Sequence, residues 1–293
     1  MSAGWHIGVI GGSGLAGGLA LDDAQEIAVS SPFGTPSAPV TTGRLGGVRV
    51  TFLARHGAGH HLSPSSVNYR ANIDVLKRCG VSDLLSLSAI GSLSETIAPG
   101  QFVAVDQLID RTQGRVNSFF GEGCVAHVSL ADPTCPRLSA LAADAAEAAG
   151  GVVHRGGCYI AIEGPQFSTR AESRLYQQWG GQVIGMTAMP EARLAREAEL
   201  PFALLGMVTD YDCWREGGAD VDAANVFAVM KANALLAQDA VRRLVAALPP
   251  TREASPIDRA LDGALATAAH ARDGKLMAML DSVAGRALRG GHA

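Results

Sequence analysis

Seven short runs of β-branched and aliphatic residues, each closed by a turn signal, recur along this chain and constrain its fold more than any other feature. They are Trp5 to Ile10, Val48 to Ala54, Leu84 to Ser88, Phe102 to Val105, Cys158 to Ile162, Gln182 to Met186 and Phe202 to Val208. Several are almost continuously apolar, as strands are when both faces of a sheet are covered, whereas Val48, Val50 and Phe52 alternate with Arg49 and Thr51 as in a half-exposed strand. Helix-start signals stand between them. Thr169 followed by Glu172 reads as a capping box, Pro190 fits a first helical position, and Ser255, Pro256 and Asp258 open a further helix. Residues 221 to 248 carry Val226, Val229, Met230, Leu235, Val241, Leu244 and Val245 with polar residues between, then stop at Pro249-Pro250, which predicts a long amphipathic helix. Two further helical patterns run to about Leu288. This alternation predicts an α/β fold: a single domain with a mixed central sheet flanked by helices. Its core spans 1–250, and 251–293 forms a C-terminal helical extension of the same domain.

Composition removes several function classes. The 293 residues are 47% hydrophobic and 18% charged, too apolar for a disordered chain. The formal net charge is −4, with no basic excess to neutralise a run of phosphates, so a dedicated nucleic-acid binder is excluded. Cys79, Cys124, Cys135, Cys158 and Cys213 are odd in number and never form CxxC, which suggests neither a disulfide framework nor a thiolate zinc site. The first residues lack the basic and apolar regions of a signal peptide, and no stretch of about 18 apolar residues occurs. A soluble, cytoplasmic protein is expected.

Four motifs follow strands. Gly11-Gly12-Ser13-Gly14 offers backbone N–H groups and a hydroxyl to an anion, but lacks both the GxGxxG spacing and the GK[ST] of nucleotide loops; a plain tight turn is the alternative. Arg55-His56 stands at a strand end ahead of Gly57, Gly59, His60 and His61, with no acidic residue to complete a metal site, and suits an oxyanion; a surface salt bridge is the alternative. In Glu163-Gly164-Pro165-Gln166-Phe167-Ser168, Phe167 projects as a platform for a planar ligand or is simply core, and Glu163 caps or ion-pairs within the fold. Finally, Asp210 and Asp212 leave a very apolar strand. They point the same way if the strand continues, and burial together with mutual repulsion would raise a carboxyl pKa toward proton donation; solvated loop aspartates are the alternative.

Taken in order, GVIGGSGL, LARHG, VNYRAN, GSL, DQLIDRT, EGPQFSTRAES, IGMTAMPEA and TDYDCW resemble the 5'-methylthioadenosine phosphorylase branch of the nucleoside phosphorylase family, from about Ile7 to Leu248. The resemblance implies phosphorolysis of 5'-methylthioadenosine in purine and methionine salvage, by a homotrimer or a hexamer of two trimers. It implies no metal and no organic cofactor, inorganic phosphate being a co-substrate. Phosphate binding is implied for Ser13, Arg55, His56, Ser88, Ala89 and Thr187. Phe167 and Ser168 would line the base and phosphate regions, Met186 would pack under the ribose, and Thr209 stands beside the purine-recognising pair Asp210 and Asp212. His127 would reach across the trimer interface, with Val226 and Phe227 walling the methylthio group. Gln166 stands where some relatives have Arg, and Ile90 where animal members often have Cys. A carboxylate at 210 accepts from a 6-amino group and so favours adenine, where Asn would favour 6-oxopurines. A 6-oxopurine phosphorylase, an NAD-dependent α/β protein built on the glycine loop, and a non-catalytic nucleoside-binding module are the competing readings.

Overall fold

A computed structural model describes residues 4–12, 15, 19–215 and 223–289. Its strands are His6–Gly11 (β1), Asp22–Ile27 (β2), Val40–Leu45 (β3), Val48–Ala54 (β4), Asp83–Ser92 (β5), Phe102–Val105 (β6), Gln107–Asp110 (β7), Val153–Arg155 (β8), Cys158–Ala161 (β9), Val183–Gly185 (β10) and Phe202–Asp210 (β11). The helices are Tyr69–Arg78 (α1), Pro136–Ala148 (α2), Arg170–Gln178 (α3), Ala188–Glu197 (α4), Ala223–Ala246 (α5), Gly274–Met279 (α6) and Gly285–Arg289 (α7). All eleven strands form one mixed sheet, so the α/β expectation holds.

β5 organises the sheet. Its first half runs parallel between β1 and β11, pairing Leu84 with Gly8 and with Phe202. Its last residues lose β1 and pair antiparallel with β10, Gly91 facing Ile184 and Ser92 facing Val183. The sheet therefore divides around the second half of β5, and the ends of several strands meet there. Ligands in such sheets lie beyond the carboxyl ends of the strands, where neighbouring strands part.

β4 corrects the half-exposed expectation. Thr51 is fully buried, its hydroxyl bonded to His6 Nε2 at 2.8 Å and to Thr42 Oγ1 at 3.1 Å. A polar residue in the alternation thus marks an internal hydrogen bond between three strands and not a wet face. On α5 the packing face is Ala234, Ala237, Val241 and Leu244, while Leu235 is 72% exposed, so small alanines took the place that the larger residue was expected to hold. The expected start of this helix at Val221 lies outside the described residues. The capping box at Thr169 and Glu172 is formed, and Pro190 follows a non-helical Met189, so regular helix begins at that proline. The segment after Pro249 holds a capped 3-10 turn at Pro256–Arg259 and then the short α6 and α7, less helix than expected. No described helix is long and apolar enough to cross a membrane.

Candidate active site

Strand ends deliver the side chains to one cavity of about 290 Å³. Gly12 follows β1, Arg55 and His56 follow β4, Ser88 to Gly91 belong to β5, Met186 and Thr187 follow β10, and Thr209 and Asp210 end β11. The antiparallel register of β10 on β5, carried on past Gly185, sets Thr187 opposite Ser88, and their hydroxyls lie 3.2 Å apart.

At this end Arg55 is 1% exposed. Its Nε and Nη2 donate to the two oxygens of Glu191, at 2.5 and 3.1 Å, Nη2 also donates to Ser86 Oγ, and Nη1 donates to the Leu87 carbonyl. Burial opposes the charge on Arg55, but the Glu191 carboxylate more than offsets it and holds the guanidinium above its ordinary value. Four of the five N–H donors are thereby occupied among the described residues, leaving one on Nη1, the atom nearest Gly12. The surface-salt-bridge alternative for Arg55 is overturned. His56 Nδ1 lies 2.8 Å from the Leu62 carbonyl, which can only accept, so Nδ1 carries the proton. Burial first, and then the Arg55 cation, push His56 down to about 4, so near neutral pH its Nε2 bears a lone pair. His60 stacks on this ring with centroids 4.2 Å apart.

At the other end the geometry differs from an extended pair of aspartates. Val208 faces Ile90 on β5 and Asp210 faces Gly91, leaving Thr209 as an extra residue in the ladder. This bulge breaks the strand's alternation, so that Thr209 and Asp210, adjacent in sequence, both line the cavity. A Cβ on Gly91 would stand 2.9 Å from Asp210 Oδ1, so glycine there makes room for the carboxylate. The strand then ends, and Asp212 sits in a turn at φ 51°, so the two carboxylates do not continue one strand face. They are instead linked locally: the Asp212 N–H donates to Asp210 Oδ1 at 2.8 Å, and Ser173 Oγ donates to Asp212 Oδ2 at 2.5 Å. Thr209 Oγ1 lies 2.7 Å from Asp210 Oδ2 and 3.2 Å from the Ile90 carbonyl. Its single proton can turn to Ile90, leaving the hydroxyl oxygen to accept from a protonated Asp210.

Burial raises the Asp210 carboxyl, and burial together with the Asp210 charge pushes Asp212 up to about 6 despite the Ser173 bond. A raised folded-state value favours the folded form where the group is protonated, and that contribution is lost as pH climbs from about 4 through about 6. Asp212→Asn, which tolerates positive φ, is therefore expected to be more stable than the parent at pH 7.5 by about 2 kcal/mol. The gain should vanish near pH 4 in urea unfolding, and a variant no more stable at pH 7.5 would show that Asp212 carries no such burden.

Of the remaining expected residues, Ala89, Phe167 and Met186 line the cavity, Phe167 at its mouth with 45% exposure. Ser168 does not line it; its hydroxyl is buried with no partner among the described residues. His127 is exposed and outside the cavity of its own chain, its N–H donating to the Ala264 carbonyl. Ser13 lies outside the described residues, and Val226 and Phe227 belong to α5 while their side chains lie outside the description. Gln166 is exposed at the loop surface. Among the described residues no cluster of three or more metal-ligating side chains occurs.

Sequence reasoning missed Glu191 and Ser86, which hold Arg55. Glu191 stands within the IGMTAMPEA motif yet received no role, because an acidic residue in the first turn of a helix ordinarily faces water or the helix N-terminus.

A buried cation at one end of a strand-end cavity and two carboxyls with raised proton affinity at the other form a site suited to an anion beside a polar heterocycle. The chain belongs to the phosphorylase superfamily, whose model matches residues 6–246. A similar relative, the S-methyl-5'-thioadenosine phosphorylase of Cereibacter sphaeroides, is 57% identical over 97% of this chain and 99% of its own length. The crystal structure of a methylthioadenosine phosphorylase from an antarctic soil metagenomic library superposes with a TM-score of 0.90 at 44% identity, covering 96% of this chain and 99% of that one. The Schistosoma mansoni methylthioadenosine phosphorylase in complex with adenine superposes with a TM-score of 0.80 at 32% identity, over 96% and 98% of the two chains.

Proposed function

We propose that this protein cleaves the N-glycosidic bond of 5'-methylthioadenosine with inorganic phosphate, giving adenine and 5-methylthioribose 1-phosphate. The observation that carries the reading is the double-ended cavity on β5. Ser88 marks its anion end and Gly91, against Asp210, its base end, three residues or about 10 Å apart along the strand. A ribose fits between two such ends.

Phosphorolysis passes through a sugar of oxocarbenium character, so a catalyst must place an anionic nucleophile below C1' and stabilise the purine leaving above it. Both tasks are electrostatic. In this reading the remaining Nη1 proton of Arg55, the hydroxyls of Ser13, Ser88 and Thr187, and backbone at Ala89 hold phosphate. His56, neutral with its lone pair on Nε2, accepts from the P–OH of monohydrogen phosphate. Met186 lies under the ribose, Phe167 borders the base, and Thr209 orients Asp210. A protonated Asp210 neutralises charge growing on N7 while its second oxygen accepts from the 6-amino group, and Asp212 completes the purine-recognising pair. His127 of a neighbouring subunit, with Val226 and Phe227, encloses the methylthio group in a homotrimer or hexamer. The chemistry needs no metal or organic cofactor.

Purified protein is expected to release adenine from methylthioadenosine only when phosphate is present, followed by chromatography of the free base. A protein that prefers inosine or methylthioinosine would overturn the assignment of the base, and binding without turnover would overturn the reaction.

A further inference from the structure

Arg115 was not among the residues expected at the site, and its side chain is only 3% exposed. Its guanidinium reaches three segments far apart in sequence. Nη1 donates to the carbonyls of Met186 and Met189, at 2.7 and 2.8 Å, and lies 3.1 Å from the Tyr69 hydroxyl. Nη2 donates to the Glu163 carbonyl at 2.6 Å, and Nε to Glu163 Oε2 at 3.1 Å. The Tyr69 hydroxyl donates to the Pro64 carbonyl at 2.8 Å, and the Glu163 carboxylate also accepts from the Ser65 hydroxyl and, at 2.7 Å, from the Gln113 N–H.

From this geometry we infer that Arg115 is a positioning residue, a clamp that sets the cavity wall formed by the Pro64 turn, the Glu163–Phe167 loop and the Met186–Thr187 backbone. Each of these segments contributes a lining residue, and none is held to another by strand pairing at the positions where Arg115 bonds. The wall is tight as well. A Cβ on Gly164, whose φ is 69°, would stand 2.5 Å from Met186 Sδ, so a small slip of the loop moves Met186 directly. Thr187, the next residue, carries that displacement to the hydroxyl facing Ser88. Glu163, expected to cap or ion-pair within the fold, does the second and thereby links the clamp to the Ser65 turn. Only a planar fork of donors serves acceptors spread this way, and a lysine ammonium with three donors at one point cannot.

The activity part of the test rests on the phosphorolysis proposed above, and the structural part does not. Arg115→Lys keeps the buried charge and is expected to lower kcat/KM for methylthioadenosine about 100-fold, the scale of a misplacement near 1 Å. Hydrogen exchange should quicken at the amides of 161–164 and 185–189 while those of β1 and β4 keep the parental rates. Glu163→Gln, which retains an amide oxygen and the backbone carbonyl, should lose about tenfold, less than the lysine variant. A lysine variant within threefold of the parent, or one with parental exchange at 185–189, overturns the clamp. So does exchange raised uniformly across the sheet, the mark of a general structural role. A parent that releases no adenine overturns the function instead, and the exchange comparison then decides the clamp by itself.

Discussion

Asp210→Asn is expected to lower kcat/KM for methylthioadenosine by about 10²–10⁴-fold, the range associated with removing a positioned acid. The substitution is close to isosteric, and the surroundings accommodate it. The amide oxygen keeps the Asp212 N–H bond, the amide nitrogen donates to Thr209 Oγ1, and the Thr209 proton turns to the Ile90 carbonyl, already 3.2 Å away. The fold should therefore persist while the site loses a proton donor and an acceptor. An amide N–H in that place suits a 6-oxo group, so the ratio of kcat/KM for methylthioadenosine to that for methylthioinosine should fall. Measuring both substrates side by side decides the matter: an unchanged ratio would mean that Asp210 does not read the base.

Glu191→Ala should have the largest effect on stability. It strips the carboxylate from a guanidinium that is 1% exposed and leaves the Arg55 charge with two neutral acceptors, Ser86 Oγ and the Leu87 carbonyl. Breaking one side of a buried pair typically costs about 3–5 kcal/mol, which for a chain of this size lowers the melting midpoint by roughly 10 °C. Replacing both partners, Arg55→Met with Glu191→Leu, removes the uncompensated charge and should recover most of that loss without restoring phosphate-dependent turnover. This pattern would separate the two roles of the pair. Scanning calorimetry of the three proteins provides the check, and a Glu191→Ala protein that melts with the parent would show that Arg55 does not depend on its carboxylate.

Both results would follow from one arrangement: a buried arginine, proposed to hold phosphate, whose charge is largely neutralised within the protein. Three of its N–H groups are committed to Glu191 and Ser86, with a fourth on the Leu87 carbonyl, so the guanidinium plane is held before any ligand arrives. Orientation of this kind removes reorganisation from the reacting step. The clamp at Arg115 extends the same logic to another wall of the cavity, where the backbone carbonyls of Glu163, Met186 and Met189 are held together with the Glu163 carboxylate.

The sequence by itself determined the strands and the residues with obvious chemistry. All seven apolar runs became strands, because covering both faces of a sheet demands continuous apolarity that few other structures need. The polar strands β2, β3, β7 and β8 carry no such signature, and although Asn68 caps α1 and Pro136 opens α2, neither start was anticipated. Arg55, His56, Asp210 and Asp212 were legible since each follows or ends an apolar run, Ser88 and Thr187 through the family resemblance, and the structure gathers all six around one hollow. Tertiary structure alone decided which partners set their protonation and aim. The contact of Glu191 with Arg55 spans 136 residues of chain, that of Arg115 with Met186 spans 71, and the bulge at Thr209 depends on register against β5. Such couplings arise from where the chain returns in space, and local residue patterns carry no record of distances between segments that meet only after folding.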